Sequence, residues 1–178
     1  MNKDEIRNKM KVKRRYFGEV VRLEADRTIL ETVLAAFADS ESFFIYNSFS
    51  TEARTDLIIE ELLKAGKRVF LPRVEGKNML PVPYFGEELE KGAFGINEPK
   101  GEPYSGDIDV TIIPLLAVNS RGFRIGYGGG FYDRYLKDRN TKKVGMGYGF
   151  QFEEFNEDAF DVPLDVYICE KGVYSFEK

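Results

Sequence analysis

Short, unbroken apolar runs set the tightest limit on how this chain can fold. "FFIYN" (Phe43 to Asn47) and "VTIIPLLAV" are too short for helices and lack the strict polar–apolar alternation of half-exposed strands, while "RVFLPRV" reads as a further strand. An unbroken apolar strand is buried on both faces, which is the condition of a parallel sheet covered by helices. Segments with helical rhythm lie between the runs. "KDEIRNKMKVKRR", residues 3 to 15, reads as a basic helix. Glu19 to Ala38 reads as a second helix, with Val20, Leu23, Leu30, Val33, Leu34 and Phe37 forming an apolar stripe that Arg27 interrupts. "TDLIIEELLKAGK" reads as a third, with Thr55 as N-cap and Gly66 at its end. "MLPVPYF" fits an edge strand because its prolines cannot donate to a ladder. Gly86 to Gly106 reads as a long surface loop, "FYDRYLKDR" as a helix, "KVGMGYGF" as a strand, and "DVYICE" with "KGVYSF" as a terminal strand pair. Strands alternating with helices predict one layered α/β domain over residues 1–178, built around a mainly parallel sheet.

What the chain lacks narrows its chemistry. It contains no histidine, so Ser-His-Asp and Cys-His catalysis and histidine-ligated metals are excluded. Its single cysteine, Cys169, can build neither an internal disulfide nor a zinc site, and suits a reducing cytoplasm. Any bound metal should be hard and oxygen-liganded, with Mg²⁺ the leading candidate. A net charge of -4 argues against a general nucleic-acid binder. No apolar run approaches the ~20 residues that span a membrane, and "MNKDEIRNKMKVKRR" lacks a signal-peptide core. The expectation is a cytoplasmic protein acting on small molecules, with no nucleic-acid or membrane partner, as a monomer or weak homo-oligomer.

"RIGYGGGFYDRYL" concentrates the glycines. Gly126, Gly128, Gly129 and Gly130 fall between a strand and a helix, with Arg121 and Arg124 just upstream. A tight turn needs some of these for positive φ angles. Glycines also let backbone N–H groups approach an anion closely, and a helix start adds partial positive charge. The stretch is neither a dinucleotide fingerprint, being G-x-G-G-G and late in the chain, nor a P-loop, since no G-K-[ST] follows. On residues alone it reads as a nucleotide or phosphate cradle, with an acid, Asp133, placed for a metal.

"LLAVNSRGFRIGYGGGFYDRYL", with "FGINEP" upstream and "DVPLDVYICEKG" downstream, resembles the 5-formyltetrahydrofolate cyclo-ligase family, also called methenyltetrahydrofolate synthetases. "KDEIR" is similar to the family's K-x-x-[LI]-R opening and "STEART" to its E-x-x-T segment. The resemblance implies a three-layer α/β/α sandwich related to sugar-phosphate isomerase and CoA-transferase folds. It implies conversion of 5-formyltetrahydrofolate to 5,10-methenyltetrahydrofolate, with ATP split to ADP and phosphate in the presence of Mg²⁺. By the same resemblance Lys3 and Arg7 grip ATP, together with Arg124, Ile125, Gly126, Tyr127, Gly128, Gly129, Gly130, Phe131 and Tyr132. Arg124 and Tyr132 carry catalytic roles. Asn47, Glu52, Phe94 and the Tyr127–Phe131 stretch contact the folate, and Asp133 and Asp165 hold the metal. Phe160 stands where many relatives carry a histidine. Two other functions compete: a sugar-phosphate isomerase or acyl-CoA transferase, which would rest on one carboxylate, and a folate- or RNA-binding module without catalysis.

Overall fold

The computed structural model, which describes residues 1–178, places the apolar runs at the centre of a seven-stranded sheet. In spatial order the strands are β11 (Gly172–Ser175), β10 (Val166–Cys169), β9 (Lys142–Met146), β6 (Val110–Pro114), β1 (Ser42–Ile45), β2 (Arg68–Glu75) and β3 (Asn78–Tyr84). The stretch from β10 to β2 is parallel, and the two edges are antiparallel. Every residue of β1 and β10 is buried, as unbroken apolar strands require. The proline-bearing strand β3 is an edge, as its sequence predicts.

Helices α2 (Glu19–Ala36) and α3 (Asp56–Lys64) cover one face. Ala25, Ile29 and Val33 from α2 and Ile58, Ile59 and Leu62 from α3 pack on Phe43, Ile45, Ile112 and Val144. The opposite face carries a thinner layer. Helix α4 (Phe131–Leu136) lays Tyr135 and Leu136 on Phe44, Phe70 and Ile113, and Ile108 and Leu164 from irregular segments complete the cover. Helix α1 (Lys3–Arg15) packs elsewhere, against the hairpin β7 (Ala117–Val118) and β8 (Arg124–Ile125). Asn2 and Glu5 close a capping box at its start. Ile6 and Met10 of α1 are fully buried on that hairpin. Each such side chain contributes about 1.5–3 kcal/mol, enough to fix which face of α1 turns outward. No helix is long and apolar enough to cross a membrane.

Four local expectations need correction. Val20 and Leu23 do not belong to the buried stripe of α2, being 71% and 50% exposed. The helix is apolar on more than one side, and the small Ala25 beside a hydrogen-bonded Asp26 selects the face that meets the sheet. Thr55 stands at the N-cap of α3 as expected, but its side chain makes no capping bond: its hydroxyl accepts from Ser48 N at 2.9 Å while Ser48 Oγ accepts from Thr55 N at 3.0 Å. "VTIIPLLAV" is two strands rather than one, because the chain leaves the sheet at Pro114. The long loop contains its own short hairpin, β4 (Glu90–Lys91) with β5 (Asn97–Glu98).

Strand order locates the site. From β1 the chain winds through α3 to β2 on one side, whereas β6, β9 and β10 build outward on the other. The carboxyl ends of β1 and β6 therefore flank a topological switch point, where open α/β sheets leave a crevice.

Candidate active site

A cleft of about 810 Å³ occupies that switch point, a volume suited to small-molecule ligands. Tyr46 and Asn47 just beyond β1 and Pro114 at the end of β6 form its floor. The inner face of α1, the glycine loop, residues 49–52 and the β4–β5 hairpin form its walls. Of the residues expected at the site from sequence, all except Asp165 line this cleft.

The glycine loop is built for close approach. Gly128 and Gly130 have φ values of 103° and 69°, which L side chains rarely adopt. The N–H groups of residues 126–130 donate to no protein acceptor, so they stay available to an anion in the cleft. α4 has only six residues, shorter than "FYDRYLKDR" suggested, so the loop rather than a long helix supplies the donors. Arg7 ties α1 to this loop by donating from Nε to Gly126 O at 2.9 Å, and Asp4 accepts from its Nη1 at 2.6 Å. Lys3 Nζ lies between Asp158 (2.6 Å) and Asp161 (2.8 Å). Burial works against the Lys3 charge, yet these two carboxylates hold its pKa above the ordinary lysine value.

Arg124 is 8% exposed and faces its own neighbours. Its Nη2 donates to Asp133 Oδ1 at 3.0 Å and its Nη1 to Val162 O at 2.9 Å, while Val162 N also donates to Asp133 Oδ1. It therefore braces Asp133 in this structure rather than presenting bare charge to the cleft. Asp133 Oδ2 accepts no protein hydrogen bond, and the carboxylate lines the cleft, so it suits a hard cation. The chain gathers no group of three carboxylates able to enclose a metal. A divalent ion here would take most of its ligands from phosphate oxygens and water, the usual habit of Mg²⁺.

Asp165 does not join Asp133. It precedes β10, at the amino ends of the parallel strands, away from the switch point. There Oδ2 accepts from Lys143 N at 2.8 Å and Oδ1 pairs with Lys178 Nζ at 2.7 Å. Burial pushes its pKa up, but the Lys143 amide and the Lys178 charge win and hold it below the ordinary aspartate range. Phe160, 85% exposed, supplies no acid–base group.

The opposite wall suits a flat, hydrogen-bonding ring. The Ser48–Thr55 clasp closes the 48–55 loop and carries Glu52 to the cleft, where Oε2 accepts from Phe49 N at 2.8 Å and Oε1 from the Tyr127 hydroxyl at 2.9 Å. Burial raises the Glu52 pKa. Phe94, at a φ of 59° and 73% exposed, sits edge-on to Phe131 at 5.9 Å. Asn47 donates to Asn97 O at 3.3 Å, linking the β1 end to the β4–β5 hairpin. Tyr132 lines the cleft, and burial keeps its phenol protonated, far above the ordinary tyrosine range, with Glu52 nearby adding to the effect.

Several lining residues escaped the sequence reading: Lys11, Arg14 and Arg15 on α1, Tyr46, Phe49, and the acids Asp158 and Asp161. Lys11 and Arg15 had a signal, since with Lys3 and Arg7 they repeat at i, i+4 on one helix face. The two acids had none; only the fold carries the 158–161 loop to the start of α1.

Comparisons with known proteins bear on the fold and the family. The Escherichia coli K12 protein called 5-formyltetrahydrofolate cyclo-ligase is 35% identical over 145 residues, covering 74% of this chain and 79% of that one. A Mycoplasma genitalium protein of the same name is 46% identical over 76 residues, which span 42% of this chain and 46% of that protein. The NMR structure of Aquifex aeolicus 5,10-methenyltetrahydrofolate synthetase superposes with a TM-score of 0.89 at 34% identity, covering 100% of this chain and 94% of that one. A sequence profile described as the 5-formyltetrahydrofolate cyclo-ligase family matches residues 1–170. With that match across nearly its whole length, the chain belongs to the 5-formyltetrahydrofolate cyclo-ligase family.

Proposed function

We propose that this chain catalyses the ATP-dependent ring closure of 5-formyltetrahydrofolate to 5,10-methenyltetrahydrofolate, releasing ADP and phosphate. One observation carries the proposal: unpartnered loop amides and a basic helix face share a single cleft with the carboxylate and aromatics of the Glu52 wall. A phosphate donor and a flat acceptor molecule can thus meet in one place.

The reaction needs no histidine. The formyl oxygen on N5 attacks the γ-phosphorus, ADP leaves, N10 adds to the activated carbon and loses its proton, and phosphate departs with the former formyl oxygen. Every nucleophile belongs to a substrate, so the protein contributes position and charge. The amides of residues 126–130 and the Arg7 guanidinium would hold the triphosphate oxygens, and Lys3 would exchange Asp158 and Asp161 for phosphate. Arg124 would keep Asp133 fixed. Tyr132, protonated by its burial, would donate a hydrogen bond into the cleft. Glu52 would accept from the pterin's amino and ring N–H groups, with Phe94 and Tyr127 against the ring faces. Mg²⁺, when bound, would neutralise triphosphate charge, and Asp133 would be its protein ligand.

Mixing the purified protein with 5-formyltetrahydrofolate, with and without ATP, tests the proposal through the near-ultraviolet absorbance of the methenyl product. Product only when ATP is present is the expected result. No product, or product formed equally without ATP, would refute it.

A further inference from the structure

Given the assignment of this cleft to a folate, we propose that Arg14 is a positioning residue that sets the orientation and charge of the Glu52 carboxylate through the Tyr127 hydroxyl. Three elements separate in sequence meet to make this relay. Arg14 Nη2, from α1, donates to Tyr127 Oη at 2.7 Å; the Tyr127 hydroxyl, from the glycine loop, donates to Glu52 Oε1 at 2.9 Å. Arginine can only donate, so the tyrosine oxygen accepts from it, and the single phenol hydrogen is directed on to Glu52. Polarising that hydroxyl strengthens the second bond, as linked hydrogen bonds do in a low-dielectric site.

The placement of Arg14 is poorly explained by packing. The residue is 5% exposed, it forms no ion pair within contact distance, and its Nε is buried without a partner. A buried cation with an orphan donor is unfavourable for a scaffold, and an apolar side chain such as Met10, one turn earlier, would serve better. Arg14 lies in the cleft wall with its guanidinium 5.7 Å from the Tyr127 ring centroid, so it also limits how the ring can turn.

The groups around Glu52 leave Arg14 as the cation that matters to it. Tyr46 beyond β1, Tyr127 and Tyr132 are neutral at working pH, their phenols raised chiefly by burial, Tyr127 to about 12. Arg22 from α2 meets Glu52 at its backbone oxygen, not at its carboxylate. Burial raises the Glu52 pKa, while the Phe49 amide, the Tyr127 hydroxyl and the Arg14 charge act to lower it. Removing the Arg14 charge therefore lets that pKa climb, and the carboxylate protonates at higher pH. A protonated Glu52 loses acceptor capacity toward the pterin.

The test uses the full chain and 5-formyltetrahydrofolate as the probe, with binding followed by fluorescence quenching across pH and KM and kcat measured for both substrates. Arg14→Gln should weaken folate binding about tenfold while KM for ATP stays within about twofold. Its acid limb for folate binding should move to higher pH. Arg14→Lys should return that limb toward wild type without restoring full affinity. Tyr127→Phe should weaken folate binding by itself, and combining it with Arg14→Gln should add little, the signature of one relay. Unchanged folate affinity and an unmoved limb in Arg14→Gln would overturn the proposal, as would additive effects of the two substitutions. Equal losses toward both substrates with a lowered melting temperature would also overturn it, by showing a purely structural role. If Arg14→Gln does not fold, Arg14→Lys and Tyr127→Phe decide the matter. Tight folate binding without turnover in the wild-type protein would strike the proposed reaction and leave the relay measurable.

Discussion

Gly128→Ala isolates the contribution of the glycine loop. At a φ of 103° an added Cβ would meet nothing nearer than the Arg7 guanidinium at 3.8 Å, so the penalty is torsional rather than steric. A left-handed L-residue costs roughly 1–2 kcal/mol, and a φ beyond that well pushes the figure toward about 3 kcal/mol. The loop is exposed at Gly128, so the chain can escape the strain by rotating the backbone. That escape turns the free amides of the loop away from the cleft. The expected result is a loss in kcat/KM for ATP of about 10- to 100-fold, the rate equivalent of about 1.4–2.8 kcal/mol, with KM for folate changed far less. Gly66→Ala is the control. It sits after α3 at a φ of 75°, also with open space around it and far from the cleft. It should lower the urea midpoint through about 1 kcal/mol of similar strain and leave the ATP parameters alone. Kinetics by methenyl absorbance, paired with urea melts, separate the two effects. If a folded Gly128→Ala keeps wild-type ATP kinetics, or if the control loses ATP affinity equally, the loop amides do not hold phosphate.

The two aspartates should behave oppositely: Asp133→Asn should lower turnover by about a hundredfold and raise the Mg²⁺ concentration needed for half-activation, whereas Asp165→Ala should leave that concentration unchanged and weaken folding. Because the folded Asp165 pKa is lowered, its stabilisation is present above the unfolded aspartate value and lost as pH falls through the folded value; wild type and Asp165→Ala should therefore converge in acid urea melts, and a gap that widens in acid would contradict the assignment. Tyr148→Phe should reduce stability by about 2 kcal/mol, since the buried hydroxyl donates to Asp26 at 2.7 Å and accepts from Arg22 at 3.0 Å while the ring contacts with Phe17 and Phe150 survive. An unchanged midpoint would show that Asp26 and Arg22 find other partners.

What could be read in advance follows from the range of each interaction. The sheet was legible because burial on both faces leaves an unbroken apolar run, and β1 and β10 are buried at every position. The glycine loop was legible because positive φ angles are local demands, met at Gly128 and Gly130 by the residues themselves. The buried face of α2 was not, since a helix apolar on several sides leaves the choice to the partner, and the partner favoured Ala25 and Asp26 over Val20 and Leu23. Arg14 was hidden for the same reason: its spacing from Lys11 suits a solvated basic face, and only the packing of Ile6 and Met10 on the β7–β8 hairpin turns it inward. Asp165 fails for a reason of topology. In a parallel sheet the residue just before a strand and the residue just after one lie at opposite ends, and the crevice belongs to the carboxyl ends. Asn47 follows β1 and lines the cleft, whereas Asp165 precedes β10 and cannot. Asp161, only four positions earlier, still belongs to the loop crossing from the cleft side, where it meets Lys3. The side of a strand on which an acid falls therefore outweighs its nearness in sequence to a familiar motif.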